Sequence, residues 1–227
     1  LPDIAGVARG KFFPAGKFLK HNLRLPESVF LQGITGDYGD IDTDLFDIDP
    51  DLELIPDYAT LRKVPWTNEP TACVIVDCYR AGRKPLEHAP RHVLKRILDL
   101  YAARGWKPVI APEVEFYLVQ QNKDPDYPLE APIGRAGRKE SAGRMYSIDA
   151  VNEFDPIIES IYDYCEAMEI DADSLSHEDG AGQLEVNFLH GDPLELADQV
   201  FLFKRVAREA ALKHGIYATF MAKPMQG

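Results

Sequence analysis

Residues 108–119, Pro-Val-Ile-Ala-Pro-Glu-Val-Glu-Phe-Tyr-Leu-Val, constrain this chain more than any other stretch. β-Branched and aromatic residues dominate it, and Gly105 and the polar run 120–124 bound it, so it reads as a β-strand. Side chains on a strand alternate faces. Glu113 and Glu115 therefore share one face, while Val114 and Phe116 share the other. Adjacent carboxylates repel unless a cation or a proton lies between them. Residues 182–190 repeat the pattern, with Gln183, Glu185 and Asn187 on one face and Leu184, Val186 and Phe188 on the other, and His177-Glu178 lies just upstream. Acids presented on rigid strands make an all-oxygen ligand set suited to a divalent cation. The same alternation also suits the solvated faces of antiparallel strands, and the pattern alone serves both readings.

The remaining periodicities surround these two strands with helices. Residues 4–13, 25–34 and 72–79 read as strands in a first region, 1–83, and 82–89 reads as a boundary. Pro90 suits the first position of a helix whose apolar stripe is Val93, Leu94, Ile97, Leu98 and Tyr101, closed by Gly105. A second helix is expected over 147–170, with Phe154, Ile157, Ile158, Ile161, Cys165 and Met168 at helical spacing. Asp192 caps a third, with Pro193 first inside it, Glu195 three past the cap, and Val200, Phe201, Val206 and Ala210 as its buried stripe. A last strand is expected over 216–222. This order is α+β, with a mostly antiparallel or mixed sheet, helices on one side and a wet face on the other. The loop 122–142 is long, carries several Pro and Gly residues, and with Arg144 presents the cations Arg135, Arg138 and Lys139; loops of that length inside a domain are usually functional or disordered. The acid-rich run Asp40 to Asp51 has Leu45 where a calcium loop needs glycine, which rejects that motif.

A net charge of −12 argues against sequence-independent nucleic-acid binding, which needs basic patches. No apolar run approaches the ~20 residues of a membrane span. Cys73, Cys78 and Cys165 are odd in number and lack metal-type spacing, which fits reduced thiols of a cytoplasmic protein. There is no Walker loop, dinucleotide fingerprint, nucleophile elbow or Cys-x-x-Cys. His177 reads as a ligand, a base or a structural histidine, and Lys223-Pro224 as a phosphate contact or a strand-end turn.

Taken together, the motifs resemble one family. Ala-Pro-Glu113-Val-Glu115-Phe-Tyr-Leu is similar to the glutamine synthetase strand Gly-Pro-Glu-x-Glu-Phe-x-Leu. His177-Glu178-x-x-Ala-Gly-Gln183-x-Glu185 resembles that family's His-Glu…Ala-Gly-Gln-x-Glu, and Phe220-Met-Ala-Lys223-Pro224 its Phe-Met-x-Lys-Pro. Gly6-Val-Ala-Arg9-Gly10-Lys11 and Leu54-Ile-Pro56-Asp57 look like its β-grasp motifs, and residues 144–156 look like the branch that includes γ-glutamylpolyamine synthetases.

The resemblance implies a β-grasp domain over 1–83 and a catalytic domain over 84–227, incomplete because a His-x-His segment and later Arg and Glu residues are expected beyond Gly227. It implies ATP-dependent phosphorylation of the γ-carboxylate of glutamate, followed by displacement of phosphate by an amine. Mg²⁺ or Mn²⁺ would be held by Glu115, Glu178 and Glu185, with Glu113 on a second ion. Glu178 would also receive the amine's proton, with Tyr146 nearby, and Asp173 and Lys223 would lie on the nucleotide side. Gly33 stands where an ammonium-binding aspartate is expected, with Asp37 close by, and together with the Tyr146 segment this favours an organic amine. Ammonia-using glutamine synthetase and a catalytically silent scaffold are the alternative readings. The expected partners are glutamate, an amine and ATP, with neither nucleic acid nor membrane, in a homo-oligomeric ring of six or twelve subunits.

Overall fold

A computed structural model describes residues 1–20, 22–38 and 48–225. Most of the acid-rich run at 40–51 lies outside the described residues; Asp49 accepts hydrogen bonds from the backbone and hydroxyl of Ser28. The described strands are β1 (Leu23–Pro26), β2 (Asp51–Pro56), β3 (Arg62–Lys63), β4 (Ala72–Cys73), β5 (Val76–Arg80), β6 (Lys84–Pro85), β7 (Glu113–Gln120), β8 (Ala172–His177), β9 (Gln183–Phe188) and β10 (Ile216–Thr219). The helices are α1 (Ala15–Phe18), α2 (Pro90–Ala102), α3 (Ile148–Asn152), α4 (Asp155–Ala167) and α5 (Pro193–Lys213). They divide between two compact units, Leu1–Leu61 with Cys73–Pro108, and Arg62–Ala72 with Val109–Gly227.

In the first unit an antiparallel sheet runs in the order β1-β2-β5-β6. Leu23, Leu25, Phe30, Leu52, Leu54, Cys78 and Leu86 form its core. Two expected strands are replaced. Residues 4–13 instead form a turn tied by Asp3, whose carboxylate accepts from the backbone of Ala5 and Val7 and from Arg9. Beyond β1 the chain tightens into a 3-10 turn over Glu27–Leu31, where buried Glu27 pairs with Arg80. Helix α2 also departs from its apolar pattern. Val93, Ile97 and Tyr101 remain 39%, 45% and 39% exposed, whereas Arg91 and His92 are buried. The reason is polar. Arg91 donates to Asp77 at 2.8 Å and to Asp57 at 2.6 Å, Lys95 reaches Asp77, and the His92 ring meets the Cys78 carbonyl. A buried carboxylate needs such partners, and removing one would leave an uncompensated charge.

The second unit is built on an antiparallel sheet in the order β10-β7-β9-β8. Phe116, Leu118, Leu184, Val186 and Phe188 turn inward and are buried. Helix α5 covers them, and its Phe203 ring lies 6.0 Å from Phe116 and 5.5 Å from Phe188. Burial of each such aromatic contributes about 1.5–3 kcal/mol. The α5 face is centred on Leu196, Leu202, Phe203, Val206, Ala207 and Ala210, so Val206 and Ala210 fall inside as expected while Val200 and Phe201 lie at its margin. The 147–170 helix is divided into α3 and α4 by the turn before Pro156, and its stripe from Phe154 to Met168 is buried throughout. Strand β7 starts at Glu113 rather than 108, because Pro112 precedes it and Ile110 makes only an isolated bridge to Gly191. The thiols of Cys78 and Cys165 are free and buried, and burial pushes each up to about 12. No helix among the described residues is long and apolar enough to cross a membrane.

The β8–β9 turn depends on one glycine. Gly182 has φ +71°, and a Cβ there would lie 2.6 Å from the Leu118 carbonyl and 2.7 Å from Pro132. A side chain meets both a disfavoured backbone region and a close neighbour. Gly182→Ala is expected to destabilise the protein by about 2 kcal/mol or more, read as a lowered denaturant midpoint; an unchanged midpoint would show that this turn does not set the register of β9.

Candidate functional site

The polar face of the sheet is assembled by register. Glu115 stands directly opposite Glu185, Glu113 opposite Asn187, and Ser176 of the edge strand opposite Glu185. Residues paired across an antiparallel ladder share a face. Glu178, two residues past Ser176, is anchored where its backbone N–H donates to the Gln183 carbonyl at 2.8 Å. The four carboxylates named from the sequence are therefore brought to one side of β7, β8 and β9. Polar side chains stitch them together: Gln183 Nε2 donates to Glu115 at 2.6 Å, Asn187 Nδ2 to Glu185 at 3.1 Å, and Ser176 Oγ to Glu178 at 3.4 Å. Gln183 in turn accepts from the Gly180 backbone at 2.8 Å, so the turn positions the amide that touches Glu115.

Electrostatics records the convergence. The Glu185 carboxyl is pushed above the ordinary glutamate range, first by burial and then by the charges of Glu178, Glu113 and Glu115, against the hydrogen bond from Asn187. The Tyr117 hydroxyl, on β7 with Glu115, is raised by burial, Glu115 and Asp179. Among the described residues, no three His, Cys, Asp or Glu side chains stand drawn together as closely as ion ligands. The donor set nonetheless fits a hard divalent ion: it is all carboxylate oxygen, carried on rigid strands and under mutual repulsion that a cation would relieve.

The other expected residues fall into different places. Tyr146 is brought to the same end of β8, since its N–H donates to the His177 carbonyl at 2.8 Å, while Gly143 N–H donates to Asp179. Its side chain is 69% exposed, and its φ of +56° is unusual for a bulky residue. Asp173 lies within the irregular stretch of β8, between Ala172 opposite Phe188 and Leu175 opposite Val186, and its charge acts on Tyr162. Lys223 is exposed in the bend that follows β10.

The long loop is organised by hydrogen bonds. Gln120 joins Glu130 and Ala131, Glu140 N–H reaches the Pro132 carbonyl, and Glu153 accepts from Ala136. Lys139 pairs with Glu130, and Arg144 with Glu140. Sequence reasoning missed Glu140, whose side chain is 1% exposed and stands 3.7 Å from the ring of fully buried His177. Only the isolated polarity of His177 at an inward strand position signalled that something would meet it.

Residues 87–227 match the model of the glutamine synthetase catalytic domain. Over 233 residues the chain is 30% identical to gamma-glutamylputrescine synthetase PuuA of Escherichia coli (strain K12), covering 100% of this chain and 49% of that protein. It is 35% identical to glutamate–isopropylamine ligase of Pseudomonas sp, over 77% of this chain and 38% of that one. It is 33% identical to glutamine synthetase of Pyrococcus abyssi, over 99% and 46%. The chain thus spans about half the length of the curated relatives it matches, or less. The solved structure of apo GmaS without ligand superposes with a TM-score of 0.72 at 27% identity, over 99% of this chain and 49% of that one.

Because its pKa is raised, folded Glu185 keeps its proton to higher pH than the unfolded chain does. Stability therefore falls as pH rises from the ordinary glutamate range through the raised value. In divalent-free buffer the native protein should lose stability relative to Glu185→Gln across that window, leaving the variant more stable at neutral pH. Mg²⁺ or Mn²⁺ should then stabilise the native protein more than the variant. Denaturant midpoints across pH, with chelator and with ions, measure both effects; identical pH and ion responses would contradict the crowding of these acids.

Proposed function

The chain belongs to the glutamine synthetase family, and from that premise we propose that the protein joins an amine to the γ-carboxylate of glutamate, using ATP and passing through γ-glutamyl phosphate. The observation that supports this reading is the shared face of Glu113, Glu115, Glu178 and Glu185, with Glu115 and Glu185 directly paired. Phosphoryl transfer is chiefly a matter of positioning and charge neutralisation, which carboxylates on strands are suited to provide through bound cations. In this proposal Glu115, Glu178 and Glu185 hold one Mg²⁺ or Mn²⁺, and Glu113 a second. Bound there, the ions would neutralise charge on the phosphate oxygens.

The chain's own residues account for the remaining steps. The γ-carboxylate of glutamate attacks the terminal phosphorus of ATP, and ADP leaves; Lys223 offers a positive charge to the phosphates and Asp173 a contact on the nucleotide side. The amine arrives as an ammonium ion and must lose a proton before it can attack. The Glu178 carboxylate takes that proton, with the exposed Tyr146 side chain beside it. The neutral amine then attacks the acyl carbon, and inorganic phosphate leaves. We further propose that residues 1–83 form a β-grasp domain and 84–227 the first part of the catalytic domain. A cytoplasmic ring of six or twelve subunits, binding neither nucleic acid nor membrane, completes the proposal.

The identity of the acceptor has two readings. The names of two relatives, a glutamylputrescine synthetase and a glutamate–isopropylamine ligase, favour an organic amine, as does Gly33 where an ammonium-binding aspartate was expected. The glutamine synthetases of similar identity favour ammonia. Release of ADP by the full-length protein, with glutamate and a panel of mono- and diamines set against ammonia, tests both. We expect turnover with an organic amine as the best acceptor and a loss of at least about 100-fold in kcat for Glu178→Gln. Ammonia as the best acceptor would favour the second reading, and no turnover with any acceptor would overturn both.

A further inference from the structure

At the edge of the sheet lies a buried charged assembly that the proposed reaction does not use directly. Arg144 Nη1 donates to Glu140 Oε1 at 2.8 Å, and His177 Nε2 lies 3.7 Å from the same oxygen. The Glu140 side chain is 1% exposed and that of His177 is 0%. Glu140 Oε2 and His177 Nε2 make no hydrogen bond among the described residues. His177 Nδ1 meets the backbone carbonyl of Glu178 at 2.6 Å. A carbonyl can only accept, so Nδ1 carries the hydrogen, and Nε2 is the ring atom turned toward Glu140.

A carboxylate this deep is costly unless it is compensated, and a buried oxygen without a donor calls for a reason. The topology supplies one, because Glu140 is bonded to one segment and packed against another. Through Arg144 it fixes the loop that presents Tyr146 two residues later, at the point where Tyr146 N–H is bonded to the His177 carbonyl. The His177 ring against which it packs is itself fixed by Nδ1, which donates to the Glu178 carbonyl. Glu140 therefore joins the two segments that carry the groups assigned to the amine, while itself being closed off from solvent.

We propose that Glu140 is a positioning residue for amine transfer: it holds the Arg144 guanidinium, lies packed against the His177 ring without a hydrogen bond to it, and so sets where the Tyr146 loop meets the Glu178 segment and the incoming amine. This role rests on the ligase reading above. The packing contact extends across 37 positions of sequence, from 140 to 177, so the loop 122–142 acts as a brace for the site rather than a passive connection.

The test uses the full chain and the acceptor that gives the best turnover. Glu140→Gln is expected to raise the KM for the amine by about tenfold while the KM values for ATP and glutamate stay within about twofold. Tryptic cleavage after Arg144 should quicken by a similar factor, because the guanidinium loses its charged partner, and Glu140→Asp should recover part of both effects. If Glu140→Gln does not fold, Arg144→Gln, which alters the partly exposed end of the pair, carries the same expectation for the amine KM. Turnover by the unmutated chain with an unchanged amine KM in these variants would overturn this role alone, as would a uniform rise in all three KM values. Absence of turnover in the unmutated chain would overturn the ligase reading and this role with it.

Discussion

Like charges held at close range are the constraint from which the rest of the second unit follows. Glu115 and Glu185 face each other across adjacent strands, and Glu113 and Glu178 act on the same carboxyl. A flexible loop would relieve this repulsion by moving apart; an antiparallel ladder cannot, because its register is fixed by the opposite face. Phe116 and Phe188 pack against Phe203 of α5, and Leu184 and Val186 are buried on the same face, so sliding either strand by one residue would send those side chains into water and the acids into the core. Apolar burial on one side thus maintains electrostatic crowding on the other. In the proposed reaction, crowding of this kind would give the site its affinity for cations, since a divalent ion converts repulsion into attraction without moving the backbone.

Around that ladder the chain provides support at two levels. The Gly180–Gly182 turn sets Gln183, whose amide bridges the backbone and Glu115. Farther out, the 122–142 loop covers one end of the sheet and tucks Glu140 against His177. Few of these contacts are between neighbours in sequence. Gln183 and Glu115 are separated by 68 positions, yet they meet at 2.6 Å. Geometry of this kind is fixed by the whole unit, which is why a single backbone residue such as Gly182 bears on side chains at the far strand.

Period-based reasoning recovered what depends on local repetition. The stripe from Phe154 to Met168 is buried throughout, and the alternation in β7 and β9 places acids and apolar residues on opposite faces. It failed where a polar partner distant in sequence decided the outcome. The apolar stripe of α2 gave way to Arg91 and His92, because Asp57, Asp77 and the Cys78 carbonyl hold them inside. Residues 4–13 looked extended, but the Asp3 carboxylate collects their backbone N–H groups into a turn. Among the candidate residues, the four glutamates named from pattern and resemblance share one face of the sheet and Tyr146 is tied to the end of β8, whereas no pattern pointed to Glu140. No periodicity marks a buried acid whose partners are a histidine in an edge strand and an arginine four residues on.

The central claim is that these acids form one cation-binding face against which a nucleotide's phosphates are held. Anomalous scattering from a crystal of the full-length protein with Mn²⁺ and ADP tests it most directly. The account predicts manganese peaks within coordination distance of Glu113, Glu115, Glu178 and Glu185, with the diphosphate on the same side of the sheet. Manganese bound elsewhere, with those carboxylates in contact only with solvent, would contradict it.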